Sequence, residues 1–253
     1  MLLLITDTSG KHGFVGLARA AETGQVDQVE VIEEVPLAGG TFSAQLVPQI
    51  SGLLENNGLS KTAIDGFIVV SGPGSFTGLR VGLAAIKALA EILGKPIVPV
   101  SLLEVLAPFS IMSAATHDEA NPATAFRYAV ALDAARGEAF VGEYEVGAQA
   151  ENSIKALGES LLRFDDLAAL LESDAIGWMA TPDQTIFDAL SQRVPKSKRR
   201  FVRRNLRRPR SAEVARKGWE KLKAGQTVSP EQLEANYIRR SDAEIFAKPA
   251  TRS

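Results

Sequence analysis

The sequence predicts an α/β protein of two related lobes, each built on a mixed β-sheet flanked by helices. Three observations support this fold class. Apolar runs typical of strands precede amphipathic runs typical of helices, with short turns between them. A strand that ends in aspartate and turns back into a second strand occurs twice, with an offset of 126 residues. The chain of 253 residues is also long enough for two lobes that each bury a core.

The repeated strand–turn–strand pattern places an aspartate at the same point of each lobe. The first copy is Leu3–Asp7 followed by Phe14–Leu17, and the second is Val130–Asp133 followed by Phe140–Glu143. An aspartate at the end of a strand, beside a tight turn, can face a phosphate or the magnesium ion bound to it. Alternatively, the two carboxylates cap their own turns through local hydrogen bonds. The sequence leaves both roles open for Asp7 and Asp133.

A glycine-rich turn, Ser71–Arg80, joins the predicted strand Gly66–Val70 to the predicted helix Val81–Leu93. A turn of this kind presents backbone N–H groups at the positive end of a helix, which suits an anion. Its glycines follow the pattern G-x-G-x-x-x-G, one residue longer than the dinucleotide-binding fingerprint, and the turn lacks the lysine of a P-loop. Phosphate binding at this turn is therefore a hypothesis that needs support from geometry.

The helix after this turn carries a row of small residues at helical spacing, Gly78, Gly82 and Ala85, continued by Leu89. An interior glycine costs a helix about 1 kcal/mol relative to alanine. Two of them therefore predict a neighbour that approaches closely, either a partner protein or another part of the same chain. If the neighbour is a partner, Gly82→Leu should break partner binding and leave the fold largely intact.

The remaining elements follow from hydrophobic periodicity and from turn residues. The first lobe is predicted to span residues 1–115 and the second residues 125–253, with the last segment able to return to the first lobe. A polar stretch over residues 116–124, which contains Pro122, is the predicted crossover. The predicted strands are Val29–Val35 and Pro96–Val100, and the predicted helices are Ser43–Asn57, Leu102–Ser113, Phe164–Leu171 and Ser211–Lys223.

The composition favours a cytoplasmic protein and excludes several chemistries. Without cysteine, the chain has no disulfide, thiol nucleophile or thiolate metal site. The N-terminal segment lacks the basic leader of a signal peptide, and no apolar run reaches membrane-spanning length. The two histidines, His12 and His117, are too far apart in sequence to form a paired metal-binding motif on one helix.

The charge is unevenly distributed along the chain. The net charge is −2, yet residues 196–210 hold nine basic side chains and no acidic one. A basic block on an acidic body can bind RNA, and Arg199, Arg200, Arg203 and Arg204 are then the candidate contacts. The alternative is a solvated connector between structural elements, because one aromatic residue, Phe201, is fewer than a base-stacking platform usually has.

Several of these motifs together resemble one protein family. Ser71–Arg80, with Gly82 and the later Pro99–Leu102, is similar to the glycine-rich signature of the TsaB (YeaZ-type) family. Ala131–Glu138 and Glu234–Arg239 resemble that family's second hairpin and its closing tyrosine–arginine motif. The resemblance implies the two-lobed actin-like ATPase fold (ASKHA, ribonuclease H-like).

The resemblance also implies a part in making threonylcarbamoyladenosine, the modified adenosine beside the tRNA anticodon. It implies a non-catalytic subunit that binds and activates TsaD, the catalytic subunit, together with the ATPase TsaE and with tRNA held through the complex. Alone, the protein is expected to be a homodimer with no membrane partner and no cofactor, while ATP or ADP with magnesium belongs to the complex. The implied interface lies on the two first-lobe helices, at Ser43, Leu46, Ile50, Ser75, Phe76, Thr77, Gly78, Arg80, Gly82, Ala85 and Leu89.

The residues themselves indicate a degenerate nucleotide site, formed by Asp7, Thr8, Ser9, Asp133 and Arg136. After its aspartate, the second hairpin continues with two alanines and the arginine. Side chains therefore occupy the space where an actin-like enzyme keeps glycines next to the phosphates. Two alternatives to the scaffold hypothesis stay open, namely a stand-alone actin-like ATPase or kinase and an RNA-binding accessory protein.

Overall fold

The two halves of the chain repeat one strand order, and this repetition defines the architecture. The computed structural model describes residues 1–23, 26–115, 126–147, 154–173, 175–197, 202–203 and 206–239. Within this part of the chain lie two mixed sheets of five strands each. In both sheets the central strand pairs antiparallel with the next strand of the chain and parallel with the fourth.

The first sheet has the order β3-β2-β1-β4-β5, and the second has the order β8-β7-β6-β9-β10. The strands of the first sheet are β1 (Leu2–Asp7), β2 (His12–Thr23), β3 (Val26–Ala38), β4 (Gly66–Gly72) and β5 (Ile97–Ser101). Those of the second are β6 (Phe126–Asp133), β7 (Glu138–Val146), β8 (Ile154–Arg163), β9 (Trp178–Ala180) and β10 (Val202–Arg203). The internal repeat that the sequence predicts is thus confirmed, since the two central hairpins occupy equivalent places.

Helices cover both faces of the sheets. The described helices are α1 (Phe42–Asn56), α2 (Phe76–Leu93), α3 (Leu102–Ala115), α4 (Phe164–Glu172), α5 (Gln184–Arg193) and α6 (Ser211–Lys223). Helices α1 and α2 pack on the outer face of the first sheet, and α4 and α5 pack on the outer face of the second. Helices α3 and α6 fill the space between the sheets, where residues from both halves share one core.

Local sequence explains where α2 begins and ends. The Ser75 hydroxyl accepts a hydrogen bond from the Gly78 N–H at 3.3 Å, which satisfies one of the free donors of the first turn. At the other end, Gly94 adopts a left-handed conformation with φ of 62°, as its position after the last apolar residue predicts. The helix therefore starts at the glycine-rich turn itself, five residues earlier than the sequence pattern predicts.

The placement of α6 differs from its prediction as a helix of the second lobe. It packs on the inner face of the first sheet, with Val214, Ala215 and Trp219 in the shared core. Gly218 faces Ile68 of β4, and a side chain there would overlap the isoleucine. The predicted crossover over residues 116–124 lies outside the described residues. None of the helices in the described ranges is long and apolar enough to cross a bilayer.

Candidate functional site

A cleft of about 1020 Å³ opens between the two central hairpins. It brings together Asp7 and Ser9 from the first hairpin and Asp133 from the second. The turn before α2 forms a further wall, from Pro73 to Gly78. The structure therefore gathers into one place several residues that the sequence analysis selected from segments far apart in the chain.

The first hairpin uses its aspartate to close its own turn. Asp7 is buried, and its Oδ1 accepts hydrogen bonds from the Ser9 N–H at 2.8 Å and from the Ser9 hydroxyl at 2.6 Å. Burial raises the pKa of the Asp7 carboxyl, while the bonds from Ser9 and the charge of Arg208 act in the opposite direction. Thr8 is buried beneath α2. The local capping role is thus the one that the geometry shows.

The second hairpin is tighter than the first by one residue. Asp7 lies opposite Phe14, whereas Asp133 lies opposite Ala139. The Asp133 Oδ1 accepts a hydrogen bond from the Ala135 N–H at 2.8 Å, and Ala135 and the following Arg136 have φ of 58° and 57°. Left-handed backbone at two successive non-glycine residues is costly, so the surrounding structure must hold this turn. Arg136 is exposed, and the residues that line the cleft do not include it.

An ion pair that the sequence analysis missed lies in the cleft. Arg208 donates to both carboxylate oxygens of Asp183, at 2.8 and 2.9 Å. The same carboxylate accepts a hydrogen bond from the Asp133 N–H at 2.7 Å, so it ties α5 to the end of β6. Arg208 belongs to the basic block, and nothing in the sequence indicates that one of its arginines turns toward a carboxylate beside the repeated hairpin.

The structure describes only part of the basic block of residues 196–210. Arg199, Arg200 and Arg204 lie outside the described residues, and Arg203 is placed as a residue of β10 opposite Ala180. Two further members of the block bind acidic side chains: Arg208 binds Asp183, and Arg207 binds Glu213 at 2.7 Å. These two arginines serve structural contacts in addition to any role of the block toward RNA.

Each glycine of the turn before α2 meets another part of the same chain. A Cβ on Gly72 would lie 2.8 Å from the Asn236 carbonyl oxygen, and one on Gly74 would overlap the Ser9 carbonyl oxygen. Gly78 and Gly82 lie equally close to Thr8. Close packing therefore accounts for the missing side chains without an anion.

This packing overturns one prediction. Gly82 does not present a small-residue face to a partner helix, because it lies buried against the Thr8 side chain. Gly78 is buried in the same way against the Thr8 carbonyl oxygen. The expectation that Gly82→Leu leaves the fold largely intact is therefore wrong, since the larger side chain has to displace Thr8 and the turn after β1 from α2.

The two outer helices divide the other predicted interface residues into buried and exposed ones. Leu46 and Ile50 are buried in the core under α1, so their prediction as surface contacts is wrong. The remaining predicted residues reach the surface at least in part: Ser43, Ser75, Thr77 and Arg80 are exposed, and Phe76, Ala85 and Leu89 are half-buried. Sequence reasoning missed exposed apolar residues of these helices, among them Val47, Ala84, Ala88 and Ile92.

The closing segment of the described chain joins the glycine-rich turn to the second sheet. The Asn236 N–H donates to the Ser71 carbonyl at 2.8 Å, and the Asn236 side chain donates to Glu159 of β8 at 2.6 Å. The Tyr237 ring packs on Phe76 with 5.0 Å between centroids. Arg239 forms an ion pair with Glu138 of β7. The tyrosine–arginine motif of the sequence is thus a contact between the two halves.

The residues of the cleft do not fit a magnesium–nucleotide complex. The Asp7 carboxylate is engaged by its own turn, and the Asp183 carboxylate is engaged by Arg208. Among the residues that the structure describes, no three histidine or acidic side chains come together as metal ligands. Ala134 and Ala135 line the second-hairpin side of the cleft, where phosphate oxygens would need backbone to approach closely.

Two sheets of identical strand order, each with an aspartate at the turn of its central hairpin and a cleft between those turns, define the actin-like (ASKHA, ribonuclease H-like) class of proteins. A family model described as TsaD, tRNA N6-adenosine threonylcarbamoyltransferase, matches residues 36–245. The chain belongs to this family, and its similar relatives make it a TsaB (YeaZ-type) member.

Curated proteins named TsaB are similar to this chain, and a solved structure shares its fold. The TsaB protein of Bacillus subtilis is 25% identical over 244 residues, which is 96% of each chain. The TsaB protein of Haemophilus influenzae is 33% identical over 107 residues, and this match spans 42% of each chain. A YeaZ structure from Pseudomonas aeruginosa superposes with a TM-score of 0.65 at 22% identity, covering 94% of this chain and all of the other. The structural match shows the fold.

Proposed function

We propose that this protein is a non-catalytic subunit of tRNA threonylcarbamoyladenosine synthesis, which binds and activates TsaD through the outer face of α1 and α2. The names of the TsaB relatives and the match to the TsaD family model support the pathway. TsaE and tRNA then associate through the complex. In the absence of TsaD, the same outer face pairs two copies of this chain.

The observation that carries the proposal is a row of exposed apolar residues on α2. Ala84, Ala88 and Ile92 follow one another at intervals of four residues, so they lie on one face of the helix. Ile92 is 73% exposed, and Val47 on the adjoining helix α1 is 54% exposed. A single exposed apolar residue is ordinary, but a row at helical spacing, with Val47 exposed on the helix that packs beside it, is typical of a surface that binds another protein.

The cleft supports the non-catalytic part of the proposal. Its acidic groups are held by the protein's own donors, as the Asp7 turn and the Asp183–Arg208 pair show. A stand-alone ATPase or kinase needs free groups to position magnesium and the phosphates. Nucleotide at the complex is therefore assigned to the partner subunits rather than to this cleft.

Reconstitution tests the proposed function. Purified TsaD and TsaE from the same organism, tRNA and a threonylcarbamoyl donor are assayed for modified adenosine with and without this chain. We expect modification only when the chain is present. Equal modification without it would refute the activating role, and magnesium-dependent ATP hydrolysis by the chain alone would refute the non-catalytic assignment.

A pair of variants tests the surface. Ala84→Arg places a charge in the middle of the apolar row, so TsaD binding should fall by about a hundredfold, as expected for a charge at a desolvated interface centre. Ala175→Arg, which adds the same side chain at an exposed turn of the second half, is the matched control and should bind normally. Sedimentation of each variant alone reports whether self-association uses the same face. Unchanged TsaD affinity of Ala84→Arg would show that the interface lies elsewhere.

A further inference from the structure

Arg80 is held in one orientation at the start of the exposed row on α2. Its guanidinium carbon lies 3.7 Å from the centre of the Phe76 ring. Its Nε donates a hydrogen bond to the Tyr237 hydroxyl at 3.2 Å. The two rings also pack on each other, so the three side chains form one cluster, which we term the Arg80 cluster.

Tyr237 is held in place by the contacts of the residue that precedes it. The preceding residue, Asn236, is bound on one side by the Ser71 carbonyl and on the other by Glu159 of β8. Tyr237 itself is 42% exposed, so one part of the residue packs on Phe76 while the rest faces solvent. An exposed aromatic residue on a rigid support is the kind of residue that anchors protein interfaces, because ordering it on binding costs little entropy.

The guanidinium lacks a counter-ion. Across the residues that the structure describes, no carboxylate pairs with Arg80, whereas Arg127, Arg193, Arg207, Arg208 and Arg239 each have one. The first turn of α2 contains no acidic residue either, so the positive end of the helix adds to the charge of the arginine. A preorganised arginine with free Nη groups binds a carboxylate in a two-point geometry.

The neighbours of the Arg80 cluster indicate the kind of partner. Arg80, Ala84, Ala88 and Ile92 are spaced four residues apart, so the cation begins the same row that continues as apolar surface. Nucleic acid favours basic surroundings, whereas an apolar helix face with one charged end suits a protein. The observations therefore favour an acidic side chain of a protein partner over a phosphate of tRNA.

We infer that the Arg80 cluster is the polar anchor of the docking surface and receives a carboxylate from the bound protein partner. This inference rests on the proposed function, in which that partner is TsaD. It adds the chemistry that orients the partner. The apolar row supplies the buried area, and Arg80 fixes the direction in which the partner lies along α2.

The test compares TsaD affinity across a matched set of variants. Arg80→Met keeps the length of the side chain and removes its charge, and we expect about tenfold weaker binding or more. Arg80→Lys keeps the positive charge but lacks the planar guanidinium group that binds a carboxylate at two points, so it should retain only part of the affinity. Tyr237→Phe removes the hydroxyl that holds Nε, and about threefold weaker binding is expected. Arg127→Met, on an exposed arginine of β6, is the control and should bind like the wild type.

The outcomes separate this inference from the proposed function. If Ala84→Arg abolishes TsaD binding while Arg80→Met binds like the wild type, the docking face stands and the carboxylate anchor is refuted. If neither variant affects TsaD binding, the interface lies elsewhere and both the docking face and the anchor are refuted, while the reconstitution assay separately decides the proposed function. If Arg80→Met lowers tRNA affinity in a salt-dependent manner and leaves TsaD affinity unchanged, the cluster binds phosphate and the inference is overturned. Circular dichroism and thermal unfolding of each variant confirm that its fold is intact.

Discussion

Two glycines of α2 lie against the same residue, and their replacement by alanine should have unequal effects. A Cβ on Gly78 would overlap the Thr8 carbonyl oxygen, whereas one on Gly82 would overlap the Thr8 hydroxyl. A side chain can rotate away from an added methyl group, but the Thr8 carbonyl moves only if the backbone of the turn after β1 moves. The two substitutions therefore distinguish a clash with backbone from a clash with a side chain.

The expected magnitudes follow from two opposing effects. Overpacking costs about 1–3 kcal/mol, and replacing glycine by alanine inside a helix returns about 1 kcal/mol. Gly82→Ala should thus lose about 1 kcal/mol of unfolding free energy, and Gly78→Ala about 2 kcal/mol or more. For a chain of this size, the second loss corresponds to a fall in Tm of about 4–8 °C. Gly52→Ala in α1, where nothing lies within 4 Å of the added methyl group, should instead gain about 0.5–1 kcal/mol.

Urea and thermal unfolding of the three variants measure these differences, and a second substitution tests their cause. Thr8→Ala removes the hydroxyl that Gly82→Ala would strike, so the double variant should recover about 1 kcal/mol relative to the sum of the single changes. No recovery is expected in the Gly78→Ala background. Equal stability of Gly78→Ala and Gly52→Ala would refute the close approach of α2 to Thr8, in the turn after β1.

Three further predictions concern charged groups. Burial raises the pKa of Asp7, so ionisation of this carboxyl lowers the stability of the native state as the pH rises above 3.8. Asp7→Asn should therefore be more stable than the wild type at pH 7, and the difference should disappear at acidic pH. Thermal unfolding measured across the pH range tests this. Asp27 has a lowered pKa, chiefly because Lys223 donates a hydrogen bond to it. Asp27→Asn should therefore be less stable than the wild type at pH 7. If this difference in stability persists after the pH falls through the lowered pKa, the Asp27 carboxylate is not its source. Asp183→Ala removes the acceptor of a backbone N–H at the end of β6 and should cost about 1–2 kcal/mol in urea unfolding, whereas Asp188→Ala on the exposed side of the same helix should cost little.

The equivalence of the two central hairpins could be predicted from sequence because the hairpin repeat is a local pattern. Asp7 and Asp133 end apolar runs with the same following spacing, and two copies of one pattern fold into two copies of one sheet. The partner of α6 could not be predicted in the same way. An amphipathic pattern shows that a helix has a buried face, but the contact of Gly218 with Ile68 joins residues far apart in the chain.

The candidate interface shows a related limit. Leu46 and Ile50 form the apolar stripe of α1, and such a stripe is buried first by the helix's own sheet. The surface left for a partner consists of the residues outside that stripe, such as Ala84 and Ala88, and alanine gives little signal in a hydrophobic pattern. The ion pair between Asp183 and Arg208 could not be predicted from the sequence either, because side chains that pair across loops have no fixed separation in sequence.

The position of α6 has a consequence for synthesis of the protein on the ribosome. The inner face of the first sheet is covered by a helix that begins about 110 residues after β5 ends. At about 5–20 residues per second, the ribosome needs roughly 5–20 s to add that helix to the growing chain. During this interval the inner apolar side chains of β1 and β4 lack the cover of α6, and Leu233, which completes the opposite face, is added later still. The first half of the chain therefore reaches its native state only after α6 has been synthesised, and a nascent chain stalled before α6 should be a substrate for chaperones that bind exposed apolar strands.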